Sequence, residues 1–229
     1  MALTSNSEAS APKKVLKDRL KITETFLSVQ GEGAHSGLPC TFIRLTGCAL
    51  RCRYCDTAYA FHGGDWRSFG DLMDVVREKG ARLVQITGGE PLHQKAVWPF
   101  VDKLLEAGFK PLIETGGMED ISGLNPAAHI VLDIKTPESG ELERMRWENL
   151  DILKPSDEVK FVVCSLNDLD WALAKIKELD LDQRFQVLVS PEASIKDKAA
   201  FAERLIESGV QARFQIQLHK VLWGDEAGR

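Results

Sequence analysis

The sequence predicts an α/β fold, an incomplete (β/α) barrel of roughly six parallel strands in a single domain. Two observations predict it. Short apolar stretches alternate with segments of helical apolar spacing along the chain, and polar or glycine-rich motifs follow directly on the apolar stretches. A strand joined through a helix to a parallel neighbour forms a right-handed unit, and repeated units build a sheet or an open barrel. In such folds chemistry gathers at the carboxyl ends of the strands.

Residues 1–12 are small and polar and lack the apolar run of a signal peptide. Residues 1–20 are therefore expected to be a disordered or loosely ordered tail, with the domain spanning 21–229. Residues 22–29 alternate loosely and predict an extended segment leading into Gln30-Gly31-Glu32-Gly33. Residues 41–46 (TFIRLT) read as a strand running into three clustered cysteines. Ser68 followed by Asp71 is a capping signature for a helix that stops at Gly80. Residues 83–87 form a strand ending in Gly88-Gly89-Glu90-Pro91, and a helix over 95–107 is closed by Gly108. Strands at 110–114, 130–134, 159–163 and 185–189, helices at 168–179 and Lys198–Ser208, and a last strand at 214–218 complete the alternation.

Apolar residues at 44% supply a core without disulfides. The net charge is −5, and the basic residues Lys13, Lys14, Lys17 and Arg19 stand alone as a cluster. That balance argues against a nucleic-acid partner, which needs many cations to neutralise phosphates. No stretch approaches the roughly 18 apolar residues of a membrane span. The expected location is cytoplasmic, a reducing compartment where clustered cysteines bind metal or do redox work.

The cysteines fall as Cys48-x-x-x-Cys52-x-x-Cys55. Three thiolates on a short loop can hold three irons of a cubane and leave the fourth open to a small molecule. The competing arrangement is a zinc site completed by His35 or His62. Structural zinc ligands usually come as two closely spaced pairs, and no second pair is present. Cys40 and Cys164 read as small buried hydrophobes.

With Tyr54 preceding the last cysteine and Gly88-Gly89-Glu90-Pro91 after the next strand, the pattern resembles the radical S-adenosylmethionine (SAM) superfamily. The resemblance implies a radical SAM-type partial barrel and a [4Fe–4S] cluster on Cys48, Cys52 and Cys55. It further implies SAM contacts from Tyr54, Cys55, Asp56, Gly89, Glu90, Glu114, Asp133 and Lys135. It narrows to the 7-carboxy-7-deazaguanine synthase family of the queuosine pathway through Gln30-Gly31-Glu32-Gly33, Gly37-x-Pro39, Phe42-x-Arg44, Asp56-Thr57 and Gln217-x-His219-Lys220.

That family resemblance implies conversion of 6-carboxy-5,6,7,8-tetrahydropterin to 7-carboxy-7-deazaguanine with release of ammonia. It implies Mg²⁺ at Thr57, a flavodoxin or ferredoxin as one-electron donor, and a homodimer. Substrate contacts are implied for Val29, Gln30, Gly31, Glu32, Arg44, Thr87, Gln217 and His219, with no catalytic side chain beyond the cluster-bound cofactor. The residue types suit these roles: a guanidinium at Arg44 can grip a carboxylate, and the Gln30 amide offers both donor and acceptor to a heterocycle edge. Two alternatives stay open, a glycyl-radical-enzyme activase and a zinc-stabilised, non-catalytic binding module.

Overall fold

The computed structural model describes residues 18–224 together with 226 and 228. The tail expected over 1–20 lies outside the described residues as far as residue 17. Regular structure starts ahead of the expected boundary, because Leu20 is fully buried and holds β1 (Arg19–Val29) in the sheet from its first residues.

Eight more strands follow: β2 (Pro39–Leu45), β3 (Asp65–Ser68), β4 (Leu83–Gly88), β5 (Lys110–Thr115), β6 (His129–Ile134), β7 (Glu158–Val163), β8 (Gln186–Pro191) and β9 (Ala212–Phe214). They form one nine-stranded open sheet in the order β3-β1-β2-β4-β5-β6-β7-β8-β9. From β2 through β9 every neighbouring pair is parallel, while β1 lies antiparallel to both β2 and β3. The parallel set β2, β4, β5, β6, β7, β8, β9 gives the expected incomplete barrel one strand more than anticipated.

The helices are α1 (Phe69–Lys79), α2 (Val97–Glu106), α3 (Leu166–Glu178), the single turn α4 (Leu181–Arg184), α5 (Lys198–Ser208) and α6 (Leu218–Trp223). Ser68 and Asp71 make the anticipated reciprocal cap on α1, which ends where Gly80 turns left-handed at φ +72. Between β6 and β7 the chain makes three short 3₁₀ turns, Pro137–Ser139, Leu142–Arg144 and Trp147–Asp151, with no α-helix. No helix among the described residues is long and apolar enough to cross a membrane.

Side chains alternate across a strand, and that rule divides the barrel into two environments. Ile43, Leu45, Val84, Ile86, Ile113, Leu132, Ile134, Val159, Phe161, Val163, Val187 and Val189 face outward into the main core with the helices. The intervening residues Phe42, Arg44, Thr87, Glu114, Asp133, Lys135, Lys160, Val162 and Ser190 face a cavity. Polar residues inside otherwise apolar strands therefore mark the inner wall. Phe161 is fully buried on the outer side, so Phe161→Ala is expected to cost about 3–5 kcal/mol through lost contacts and a cavity. A lower denaturant midpoint at unchanged slope measures this, and a loss below about 1 kcal/mol would contradict the packing.

Two expectations are corrected. The last strand, expected over 214–218, is confined to β9 (Ala212–Phe214), and Leu218 opens α6. Beyond Phe214 the chain leaves the sheet to bond the Gln30–Gly33 loop: Gln215 accepts from the Gly33 N–H at 2.8 Å, and the Leu218 N–H donates to Gly31 O at 3.0 Å. Strand β3 was not anticipated, since three of its four residues are polar and it lies mostly exposed at the sheet edge.

Candidate active site

The cysteine loop leaves the end of β2 and is pinned from two sides. On one side Gly89 N–H donates to Leu45 O at 3.2 Å, and Glu90 N–H to Gly47 O at 2.9 Å. A Cβ on Gly88 would run into the Leu45 backbone, and one on Gly89 into Gly47 O and Cys48 Cβ. The two glycines thus let the β4 terminus press directly against the loop. On the other side Arg51 N–H donates to Glu141 at 2.7 Å, Arg53 N–H to Ser139 O at 3.0 Å, and Arg144 to Ala49 O at 2.9 Å. Cys48, Cys52 and Cys55 are half-buried free thiols. Burial raises the Cys48 thiol and pushes Cys52 up to about 11, against the pull of Lys135.

One consequence is testable at Gly89. Gly89→Ala is expected to displace the loop, so that iron uptake falls sharply on anaerobic reconstitution while the far-UV circular dichroism stays native. Full iron uptake by that variant would show that the close approach is dispensable.

Beside the loop, Glu90 is buried and saturated by the protein. It accepts from Leu92 N–H at 3.0 Å, Thr115 Oγ1 at 2.7 Å and Gly116 N–H at 2.7 Å. Burial still holds its carboxyl above the usual range. Next to it Lys135 Nζ pairs with Asp133 Oδ2 at 2.7 Å and lies 5.9 Å from the centre of the Tyr54 ring. Burial works against the Lys135 charge, but Asp133 outweighs it and raises the ammonium above its ordinary value. Asp133 Oδ1 and the Tyr54 hydroxyl are buried without a partner. Unsatisfied buried polar atoms on cavity-lining residues fit a site shaped for a polar ligand.

A closed belt of polar side chains crosses the interior. Gln30 Nε2 donates to Gln85 at 2.9 Å, Gln85 Nε2 donates to Glu114 at 3.0 Å, and Glu114 pairs closely with Lys160. Lys160 Nζ also reaches Glu32 at 2.8 Å, and the Glu32 N–H returns to Gln30 Oε1 at 3.3 Å. Gln217 adds a bond to Glu32 at 2.9 Å. Burial opposes the Glu32 charge, yet Lys160 and Gln217 overcome it and lower the carboxyl below its usual range. Burial prevails at Glu114, which is raised despite Lys160. Lys160 is buried as well, and the two carboxylates hold it firmly protonated.

On the β1–β2 side Arg44 donates Nε to Glu24 at 2.7 Å, and the Tyr59 hydroxyl donates to the same carboxylate oxygen at 2.8 Å. Glu24 and Arg44 are register partners across the strands, as are Phe26 and Phe42, whose rings stack 4.8 Å apart. Thr57 opens a 3₁₀ turn (Ala58–Phe61), with Oγ1 3.7 Å from Cys55 Sγ. Asp56 lies 3.6 Å from Lys220 of α6, and His219 packs so tightly on Gly31 that no side chain would fit there.

One cavity is lined by Cys48, Cys52, Cys55, Tyr54, Asp56, Thr57, Gly89, Glu90, Glu114, Asp133 and Lys135, and also by Val29, Gln30, Gly31, Glu32, Arg44, Thr87, Gln217 and His219. Every site residue expected from the sequence is thus brought to one wall. Sequence reasoning missed Lys160, Gln85 and the Phe26–Phe42 pair. A lone lysine or glutamine inside an apolar strand was the available signal for the first two.

Residues 42–210 match the radical SAM superfamily. A 7-carboxy-7-deazaguanine synthase from Koribacter versatilis is 35% identical over 222 residues, spanning 90% of this chain and 98% of that one. Its counterpart in Methanospirillum hungatei is 37% identical over 204 residues, spanning 89% and 85%. Among solved structures, QueE from Escherichia coli aligns with a TM-score of 0.69 at 27% identity, covering 88% of this chain and 95% of that one. Streptococcus suis SuiB bound to the precursor peptide SuiA shares the fold at 14% identity, with a TM-score of 0.56 over 77% of this chain and 48% of that one.

Proposed function

Because this chain belongs to the radical SAM superfamily and, within it, to the 7-carboxy-7-deazaguanine synthase family, we propose that it converts 6-carboxy-5,6,7,8-tetrahydropterin to 7-carboxy-7-deazaguanine with release of ammonia. The enzyme uses a [4Fe–4S] cluster, SAM and Mg²⁺. Membership of this family displaces both the activase and the zinc-module readings. The observation that carries the proposal is the single cavity onto which the cysteine loop, the Gly88–Gly89 turn and the Gln30–Gly33 loop converge from distant parts of the chain.

Cys48, Cys52 and Cys55 would hold the cluster, and Tyr54, Asp56, Gly89, Glu90, Glu114, Asp133 and Lys135 would surround SAM. When bound, that pair would supply radical hydrogen-abstraction chemistry. The chain's own work is to bind, orient and exclude water. The unpartnered Asp133 Oδ1 is an acceptor for an ammonium or hydroxyl donor, and Lys135 holds that carboxylate in place. Glu90 acts through its bonds to Thr115 and Gly116, which lock the strand ends beside the loop.

Gln30 is fixed by Gln85, and Glu32 by Lys160 and Gln217, so both enter the cavity pre-oriented for a heterocycle edge. Glu24 takes Nε of Arg44, leaving the two terminal guanidinium nitrogens for a substrate carboxylate. The Thr57 hydroxyl would supply an oxygen ligand for Mg²⁺, which prefers oxygen donors and keeps several waters. The stacked Phe26 and Phe42 give that side of the cavity an apolar wall. The proposal extends to a flavodoxin- or ferredoxin-type donor and to a homodimer.

Anaerobic incubation of the reconstituted protein with dithionite, SAM, Mg²⁺ and 6-carboxytetrahydropterin tests it. Mass detection of 7-carboxy-7-deazaguanine, dependent on every component, is expected. SAM cleavage without any deazaguanine would leave the family assignment but overturn the substrate.

A further inference from the structure

The base of the barrel holds a second group of ligand-type side chains, separate from the cysteine rim. His35 ends the 3₁₀ turn Gly33–His35 directly after the Gln30–Gly33 loop, His129 is the first residue of β6, and Glu158 is the first residue of β7. β6 and β7 are parallel neighbours with Val131 opposite Glu158, so His129 and Glu158 share the amino-terminal mouth two register positions apart. The cysteines follow the carboxyl end of β2, at the opposite rim.

These three residues come together closely. His129 Nε2 lies 3.0 Å from Glu158 Oε2, and the two imidazoles meet edge to face with centroids 5.1 Å apart. One ligand atom from each of the three residues lies within 4.8 Å of the others. The Glu158 side chain is 2% exposed, and its second oxygen, Oε1, accepts from the Ala34 N–H at 2.7 Å. A Cβ on Gly33 would stand 2.6 Å from Glu158 Oε2, so the glycine is what admits the carboxylate. His35 Nδ1 is buried and makes no hydrogen bond. A carboxylate this deep needs a cation or several donors, and a buried imidazole nitrogen needs a partner.

The geometry points to a divalent-cation site formed by His35, His129 and Glu158, suited to a zinc-type ion. Two imidazoles and one carboxylate are a recurrent three-ligand set for Zn²⁺, at bond lengths of about 2.0–2.2 Å. A tetrahedron of that size sets its donors roughly 3.4 Å apart. The His129–Glu158 pair, at 3.0 Å, stands a few tenths of an ångström inside this spacing, and the His35 ligand atom lies within 4.8 Å of both. Mg²⁺ is a poor match because it takes oxygen ligands. Burial and the neighbouring His129 lower the His35 imidazole, which favours its neutral, ligating form despite Glu158. Binding replaces the His129–Glu158 hydrogen bond with two metal–ligand bonds, a neutral His129 then carrying its ring proton on Nδ1 so that Nε2 is free for the ion.

Glu138, Cys164 and Asp168 also gather closely, but there the Asp168 oxygens already accept from Thr136 Oγ1 and from the N–H groups of Glu138 and Cys164. At the barrel base the ion would staple the Gln30–Gly33 loop to β6 and β7. Its consequence for substrate rests on the function proposed above; its binding does not.

The full chain, reconstituted anaerobically so that its cluster occupies the cysteines, is exposed to ZnCl₂, desalted and analysed for zinc and iron by mass spectrometry. One zinc per chain beyond the iron is expected. His35→Gln and His129→Gln should each weaken Zn²⁺ binding by at least about tenfold, the lower end of what loss of an outer-sphere partner alone costs. Zinc should also raise the melting temperature of the parent protein and not that of His35→Gln. Unchanged iron content reports that the variants are folded, and if His129→Gln fails this control, the loop variant His35→Gln decides alone. Failure of the parent to retain zinc, or equal affinity in His35→Gln, would overturn the site. Neither readout depends on deazaguanine formation.

Discussion

Cys52→Ala strips the protein of its iron and abolishes turnover. Two remaining sulfurs cannot hold a cubane, and the pocket around them offers no replacement thiol, since Cys40 and Cys164 lie outside the cavity lining. Iron content and the absorbance near 400 nm, a charge-transfer region of iron–sulfur clusters, should both fall to background after reconstitution. Cys40→Ala is the matching control. Its thiol is buried against the inner base of the barrel with Leu83 and Leu112 and is pushed up to about 12, so it stays protonated and inert. The protonation state of Cys52 adds a direction in pH. A thiol raised to about 11 must release its proton to bind iron, so cluster loading should improve from neutral to mildly alkaline solution. Retention of a full iron complement by Cys52→Ala would contradict the three-cysteine assignment.

Lys160→Met destabilises the fold by about 3 kcal/mol, the lower end of the cost of removing one member of a buried ion group. The lysine is the counter-ion of two carboxylates at once, and the three side chains are 6%, 17% and 27% exposed for Lys160, Glu32 and Glu114. Without the ammonium, burial drives both carboxyls toward the neutral acid. The pH dependence follows from these directions. In the parent, Glu32 is lowered, so its contribution is present above the unfolded carboxyl value and is lost as pH falls through the folded one. Lys160 is raised, so its contribution is present below the unfolded lysine value and disappears only at strongly alkaline pH. In the variant both carboxyls take up protons more readily than unfolded ones, so acidification favours its folded form. The stability gap between the two proteins should be widest at neutral pH and narrow as pH falls through the carboxylate range. Urea unfolding at several pH values measures it, and a gap independent of pH would mean that the lysine acts through packing alone.

The cavity wall was legible in the sequence because its motifs sit where strands end, and chain ends of parallel strands meet at one rim. What the sequence withheld was pairing between distant segments. Lys160 occupies an apolar strand (EVKFVV) with no motif around it, and its meaning appears only when β5 and the Gln30–Gly33 loop bring Glu114 and Glu32 to it. Arg44 was read as a grip for a carboxylate, and the sequence did not show that the β1–β2 register gives its Nε to Glu24. The alternation of Phe214, Ile216 and Leu218 suggested a strand, but tertiary bonds from Gln215 and Leu218 to the loop outweighed that local preference. Gly89 was read as a contact for SAM, and the structure shows that Gly88 and Gly89 also make room for the cysteine loop itself.

Three cysteine ligands would leave one iron of the cluster able to take a small molecule. Electron paramagnetic resonance of the dithionite-reduced, reconstituted protein, recorded with and without SAM, addresses it most directly. A reduced [4Fe–4S] signal whose g-values shift on addition of SAM is the predicted result. A signal that SAM leaves unchanged would contradict it.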